Sequence, residues 1–250
     1  MVEQGTLTFT GHLRELRRRI AYCLGAVVVT TGLSFLFVRE IFEFFQSRAP
    51  GEVTIIYTGV TEMLTTYIKL AIYCGVALAL PFLIYQAMLF IAPGLTRSER
   101  KNVTLLLIAV VLFFSCGVVF TYLILLPPAL NFLLTFETDI AEPMISIGNY
   151  ISVLVRLIFW VGVMFNIPVL MYFLSRIGIV SPSWLARNWK WSFLVAFALG
   201  AVITPTMDPF NQTLVAAPIF VLYLLGIALA QLARRGKRKR SLVPSMADQE

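Results

Sequence analysis

Glu15 and Glu99 are each a lone acid among bases beside an apolar run, and they carry the clearest chemical possibilities in the chain. Glu15 lies in His12-Leu13-Arg14-Glu15-Leu16-Arg17-Arg18-Arg19, with four arginines for neighbours. Glu99 lies in Pro93-Gly94-Leu95-Thr96-Arg97-Ser98-Glu99-Arg100-Lys101. Two uses suit such carboxylates. The local one is structural: an i,i+3 or i,i+4 ion pair from Glu15 to Arg18 or Arg19, worth a few tenths of a kcal/mol. For Glu99 the local use is a capping box with Thr96, after a Pro-Gly turn. The other use is recognition, because a carboxylate takes a guanidinium through charge-assisted, often bidentate, hydrogen bonds. Nothing else resembles a reacting centre. His12 is the single histidine, and Cys23, Cys74 and Cys116 all fall inside apolar runs without metal-ligand spacing. The residues offer no nucleophile–base set, so the chain reads as non-enzymatic and without a cofactor.

The elements that must position these acids are membrane helices. The chain is 59% hydrophobic and 13% charged, with a mean hydropathy of +0.85, which excludes a water-soluble domain of this size. Six apolar spans are expected at about 20–38, 68–91, 103–126, 153–174, 191–203 and 214–232. The fold class is therefore all-α: a polytopic membrane protein whose bent helices form a concave wall. One membrane domain covers 1–240, and a disordered cytoplasmic tail covers 241–250. Sixteen of the twenty lysines and arginines fall before span one, between spans two and three, between four and five, or after six. Eight of the thirteen acids fall on the other side. Basic loops stay in the cytoplasm, so both termini are cytoplasmic and the cell inner membrane is the expected location. The same alternation makes the +7 net charge a matter of topology rather than of nucleic acid. The basic run Arg234–Arg240 reads as an anchor at the lipid surface.

Several features modify this plan. The first apolar run is too long for a signal peptide, and Pro50 follows the nearest small-x-small site, so an uncleaved span is expected. Pro81, Pro168 and Pro218 each remove a helical hydrogen bond and are expected to bend their spans. Span five, at 13 residues, covers only about 20 Å of a hydrocarbon core near 30 Å, so either the helix recruits flanking residues or the bilayer thins around it. Asn166 is an uncharged polar group at mid-span depth, expected to hydrogen-bond within the bundle or to meet a partner. Asp208 precedes Pro209 as an N-cap before a first-turn proline. Six spans and Asn166 would also permit a small-solute or ion transporter, although an internal repeat is missing and buried charge is scarce.

The ordered set of short motifs resembles the TatC family, the receptor subunit of the twin-arginine protein translocase. The matching residues are His12-Leu-x-Glu15-Leu-Arg17-x-Arg19, then Pro81-x-x-x-Tyr85-Gln86-x-x-x-Phe90-x-x-Pro93-Gly94-Leu95-x-x-x-Glu99-Arg100. Further matches are Phe165-x-x-Pro168-Val169, Gly178-Ile179-Val180 and Thr204-Pro205-x-x-Asp208-x-x-x-Gln212. The resemblance implies that Glu15 and Glu99 receive the two arginines of a substrate's signal peptide, beside Phe90 and with Arg17 nearby. It implies TatA- and TatB-type single-span partners, self-association within the complex, and export of folded proteins driven by the proton-motive force. Asn166 departs from the acid or glutamine usual after that phenylalanine, so a mechanism requiring ionisation there is in doubt. Glu62 matches a family acid on the outer side, where it would hold a surface helix or meet a partner.

Overall fold

The computed structural model describes residues 9–46, 55–56, 59–91, 97–135, 145–204 and 208–241. Helices dominate: α1 Phe9–Leu36, α2 Val38–Gln46, α3 Glu62–Ile91, α4 Arg97–Phe120, α5 Leu126–Thr135, α6 Ile147–Met164, α7 Ile167–Ile177, α8 Pro182–Arg187, α9 Trp189–Ile203 and α10 Pro209–Ser241. Two residues of β1, Ile55–Ile56, pair in parallel with β2, Ile145–Ser146. Among the described residues five helical stretches are long and apolar enough to cross a bilayer: Leu13–Leu36, Glu62–Phe90, Leu105–Leu133, Ile147–Ile177 and Pro209–Arg234. The 15-residue α9 is apolar but shorter, covering about 22 Å. These five and α9 correspond in order to the six expected spans.

Prolines act unequally. Pro81 lies inside an uninterrupted α3, and Pro218 inside an uninterrupted α10. Pro168 breaks its span: it cannot donate to the carbonyl of Met164, where α6 ends, and Phe165–Asn166 form a turn before α7. Helix α4 does not stop before Pro127-Pro128. It widens into a π turn over Thr121–Leu125, where the Leu126 N–H donates to the Thr121 carbonyl, and continues as α5. Prolines 127 and 128 cannot serve the carbonyls of Leu123 and Ile124, and the wider turn redistributes the bonds around that gap. The third span thus runs past its expected end at Leu126.

The chain packs as two compact units, Met1–Leu107 with Pro143–Val155, and Ile108–Glu142 with Arg156–Glu250. In the first, α1 packs along α3. Thr30 Oγ1 donates to the Gly75 carbonyl at 2.8 Å, and a Cβ built on Gly75 would stand 2.5 Å from Thr31 Cα. Only glycine permits that approach, which supplies the dispersion contact membrane helices depend on. Helix α2 turns at Phe37 and buries Val38 and Phe42, with Phe42 edge-to-face on Tyr67 at 5.1 Å. In the second unit, α7 and α10 share a core of Met171, Leu185, Ile227 and Ala230. The α7 helix ends at Gly178, whose φ of 94° lies in the left-handed region glycine adopts without strain.

Candidate functional site

The described part of the candidate site lies in the first unit, where the neighbouring ends of α1 and α3 meet. Glu15 and Arg19 are one turn apart on α1, so their side chains share a face. Arg19 Nε and Nη2 donate to Glu15 Oε1 at 3.0 and 2.5 Å. Both bonds fall on Oε1; among the described residues Oε2 accepts none. Arg19 Nη1 reaches across to α3 and donates to Gln86 Oε1 at 3.1 Å. The pair is partly shielded, with Arg19 and Glu15 side chains 19% and 27% exposed. Gln86 itself is buried. Phe90 follows Gln86 by one turn on the same face of α3 and is half-buried. Arg17 is exposed on α1, and Arg18 lies against Tyr22, donating to its hydroxyl at 2.9 Å.

Glu99 is the third residue of α4. Its side chain, and the Pro93-Gly94 turn with Thr96, lie outside the described residues, so its separation from Glu15 is not part of the described geometry. Arg19 and Gln86 are the members of the cluster that sequence reasoning passed over as actors. A signal existed for Gln86: it is a lone amide in an otherwise apolar run, one turn before Phe90.

Glu62, at the start of α3, gathers the opposite ends of these helices. Its Oε1 accepts from the Ser146 hydroxyl and from the Gly148 N–H at 2.8 Å, and Oε2 accepts from the Gly59 N–H at 3.3 Å. Gly148 is in the first turn of α6, so a carboxylate from another helix satisfies an orphan amide and meets the positive end of the α6 dipole. The β1–β2 pair lies immediately beside this tie, with Ile55 opposite Ile145 and Ile56 opposite Ser146.

The remaining candidates belong to the second unit. Asn166 is buried; its Nδ2 donates to the Gly162 carbonyl of its own span at 3.2 Å, while Oδ1 has no hydrogen-bond partner among the described residues. The expected bond within the bundle thus closes inside one span, leaving one acceptor unused. Asp208 caps α10: Oδ1 accepts the Asn211 N–H at 2.7 Å and Oδ2 the Asn211 Nδ2 at 3.0 Å. Gln212 Nε2 donates to the Phe197 carbonyl at 3.0 Å, joining α10 to α9. An apolar cavity of about 270 Å³ lies beside α9, with Trp184, Trp191, Leu199 and Tyr223 in its lining. It holds no charged side chain. Among the described residues, no group of histidines, cysteines and acids could hold a metal ion.

Comparison with known proteins agrees along almost the whole chain. The family described as "Sec-independent protein translocase protein (TatC)" matches residues 11–218. A protein of that name from Koribacter versatilis is 37% identical over 242 residues, covering 94% of this chain and 89% of that protein. One from Aquifex aeolicus is 35% identical over 238 residues, covering 93% and 98%. A solved structure described as the twin arginine translocase receptor TatC superposes with a TM-score of 0.79 at 36% identity, covering 89% of this chain and 99% of that one.

Proposed function

The chain belongs to the TatC family of Sec-independent protein translocase proteins, and on that premise we propose that Glu15 and Glu99 form its receptor site for twin-arginine signal peptides. It is a membrane-embedded core subunit of the Tat translocase, a protein-transport machine. In our reading both termini lie in the cytoplasm and the membrane is the cell inner membrane. Phe90 packs beside the bound peptide, and Arg17 lies nearby on α1. The observation that carries the reading is the Glu15–Arg19 pair, in which the candidate carboxylate already holds a guanidinium in a partly shielded setting. Lysine would serve worse, since its ammonium lacks the planar fork.

TatA- and TatB-type single-span proteins complete the machine, which moves folded precursors on the proton-motive force. Asn166 Oδ1, buried and without a hydrogen-bond partner among the described residues, is the acceptor we assign to a partner helix, since burying such a group unpaired costs about 1–3 kcal/mol. The short α9 favours a thinned bilayer where those subunits gather. Proteoliposomes carrying the chain with both partners test this. We expect transport of a folded twin-arginine precursor, abolished by a protonophore, and at least about a threefold loss for Asn166→Leu, the size of one membrane hydrogen bond. Uptake of a small solute by the chain alone would favour a transporter. Unchanged assembly and transport in Asn166→Leu would remove the partner assignment.

A further inference from the structure

We propose that Arg19 is a resident competitor for the receptor carboxylate, parked on Gln86 when a signal-peptide arginine takes its place. The inference rests on the receptor reading of Glu15. An exposed i,i+4 pair is ordinarily mobile and worth little. Here the guanidinium is held from two sides: Nε and Nη2 on Glu15 Oε1, and Nη1 on Gln86, 67 residues further along the chain. Gln86 is 9% exposed, so its amide oxygen is a fixed acceptor, and losing its donor would leave a buried group unsatisfied.

The exchange conserves bonds. An incoming guanidinium takes the two bonds Arg19 gives to Glu15, while Arg19 retains its bond to Gln86 and stays at the site. The gain at Glu15 is therefore small, because one arginine replaces another. Affinity must come from what the peptide places elsewhere, above all its second arginine. Arg19 so sets the affinity that a ligand must exceed to reach Glu15, a threshold that a pair of cations passes more readily than one. Gln86 positions it.

The test measures binding of a labelled signal peptide to the purified full-length chain in detergent. Peptides carrying Arg-Arg and Arg-Lys at the recognition pair are compared. Arg19→Gln is expected to bind the Arg-Arg peptide about tenfold tighter, the worth of one partly exposed charge-assisted bond. The Arg-Lys peptide is expected to gain by no more than the same factor, because displacing Arg19 costs each ligand alike. Gln86→Leu is expected to change binding by less than about twofold, alone or in Arg19→Gln, because Arg19 holds that acceptor both before and after the exchange. Arg19→Lys keeps the charge without the fork, so it should also bind tighter; a gain in Arg19→Gln alone would mean relief of repulsion and would overturn the proposal. So would unchanged or weaker binding by both Arg19 variants. Glu15→Gln in the Arg19→Gln background, where the carboxylate is uncontested, separates the two levels. If it binds like Arg19→Gln alone, the receptor reading fails; if it loses binding while the Arg19 variants match the parent, only the competitor role fails.

Discussion

Replacing Glu15 and Glu99 together with alanine is expected to lower affinity for a twin-arginine peptide at least about tenfold, with the helical fold retained. Each charge-assisted bond to a carboxylate is worth roughly 1.5–3 kcal/mol, and the partial exposure of Glu15 argues for the lower end. At 1.4 kcal/mol per tenfold, the loss at Glu99 alone reaches tenfold, and Glu15, which already holds Arg19, adds less. Folding should not suffer comparably. Losing the Glu15–Arg19 bond removes about 1.5 kcal/mol from a fold held mainly by helix packing, and Arg19 keeps Gln86 when Glu15 is gone. Co-purification of precursor with the double variant, beside circular dichroism of the same preparation, measures both halves. Undiminished precursor would remove the two acids from recognition.

Gly75→Val is expected to damage the site without touching it. A Cβ at residue 75 would sit 2.5 Å from Thr31 Cα and 2.7 Å from Thr31 N, both backbone atoms that cannot rotate away. The helices would have to separate, and the Thr30–Gly75 bond with them. Overpacking of this kind costs about 1–3 kcal/mol, more where the neighbour is backbone. Because α1 presents Glu15 and Arg19 while α3 presents Gln86 and Phe90, separation also pulls the cluster apart. Thermal unfolding in detergent should show a lower midpoint, and peptide binding should fall with it. A parent-like midpoint with parent-like binding would mean that the close approach at Gly75 does not hold the site together.

Much of this was legible before any coordinates, for identifiable reasons. Span positions follow from apolar length, and the family motifs sit at their ends, so Glu15, Glu99 and Phe90 emerged as candidates. Span ends were less legible where a helix continues through residues that look like punctuation. Pro127-Pro128 reads as a stop, yet a π turn over Thr121–Leu125 absorbs it. Pro81 and Pro168 look alike in sequence, but only Pro168 accompanies a break, at Phe165–Asn166. Long-range polar contacts were the least legible. That Arg19 reaches Gln86, or that Glu62 reaches Ser146 and Gly148, depends on which helices lie side by side, and no local spacing encodes it. For Glu15 the local ion pair is present, and under the proposed receptor reading the oxygen that holds Arg19 is also the one a ligand would take.

The most direct measurement is equilibrium binding of a twin-arginine signal peptide to the purified chain, against the same peptide with both arginines changed to lysine. The charge is unchanged between the two, so any difference reports the guanidinium fork. Saturable binding of the arginine peptide, at least about tenfold tighter than the lysine peptide, is the predicted result. Equal affinity for both, or no saturable binding of the arginine peptide, would contradict it.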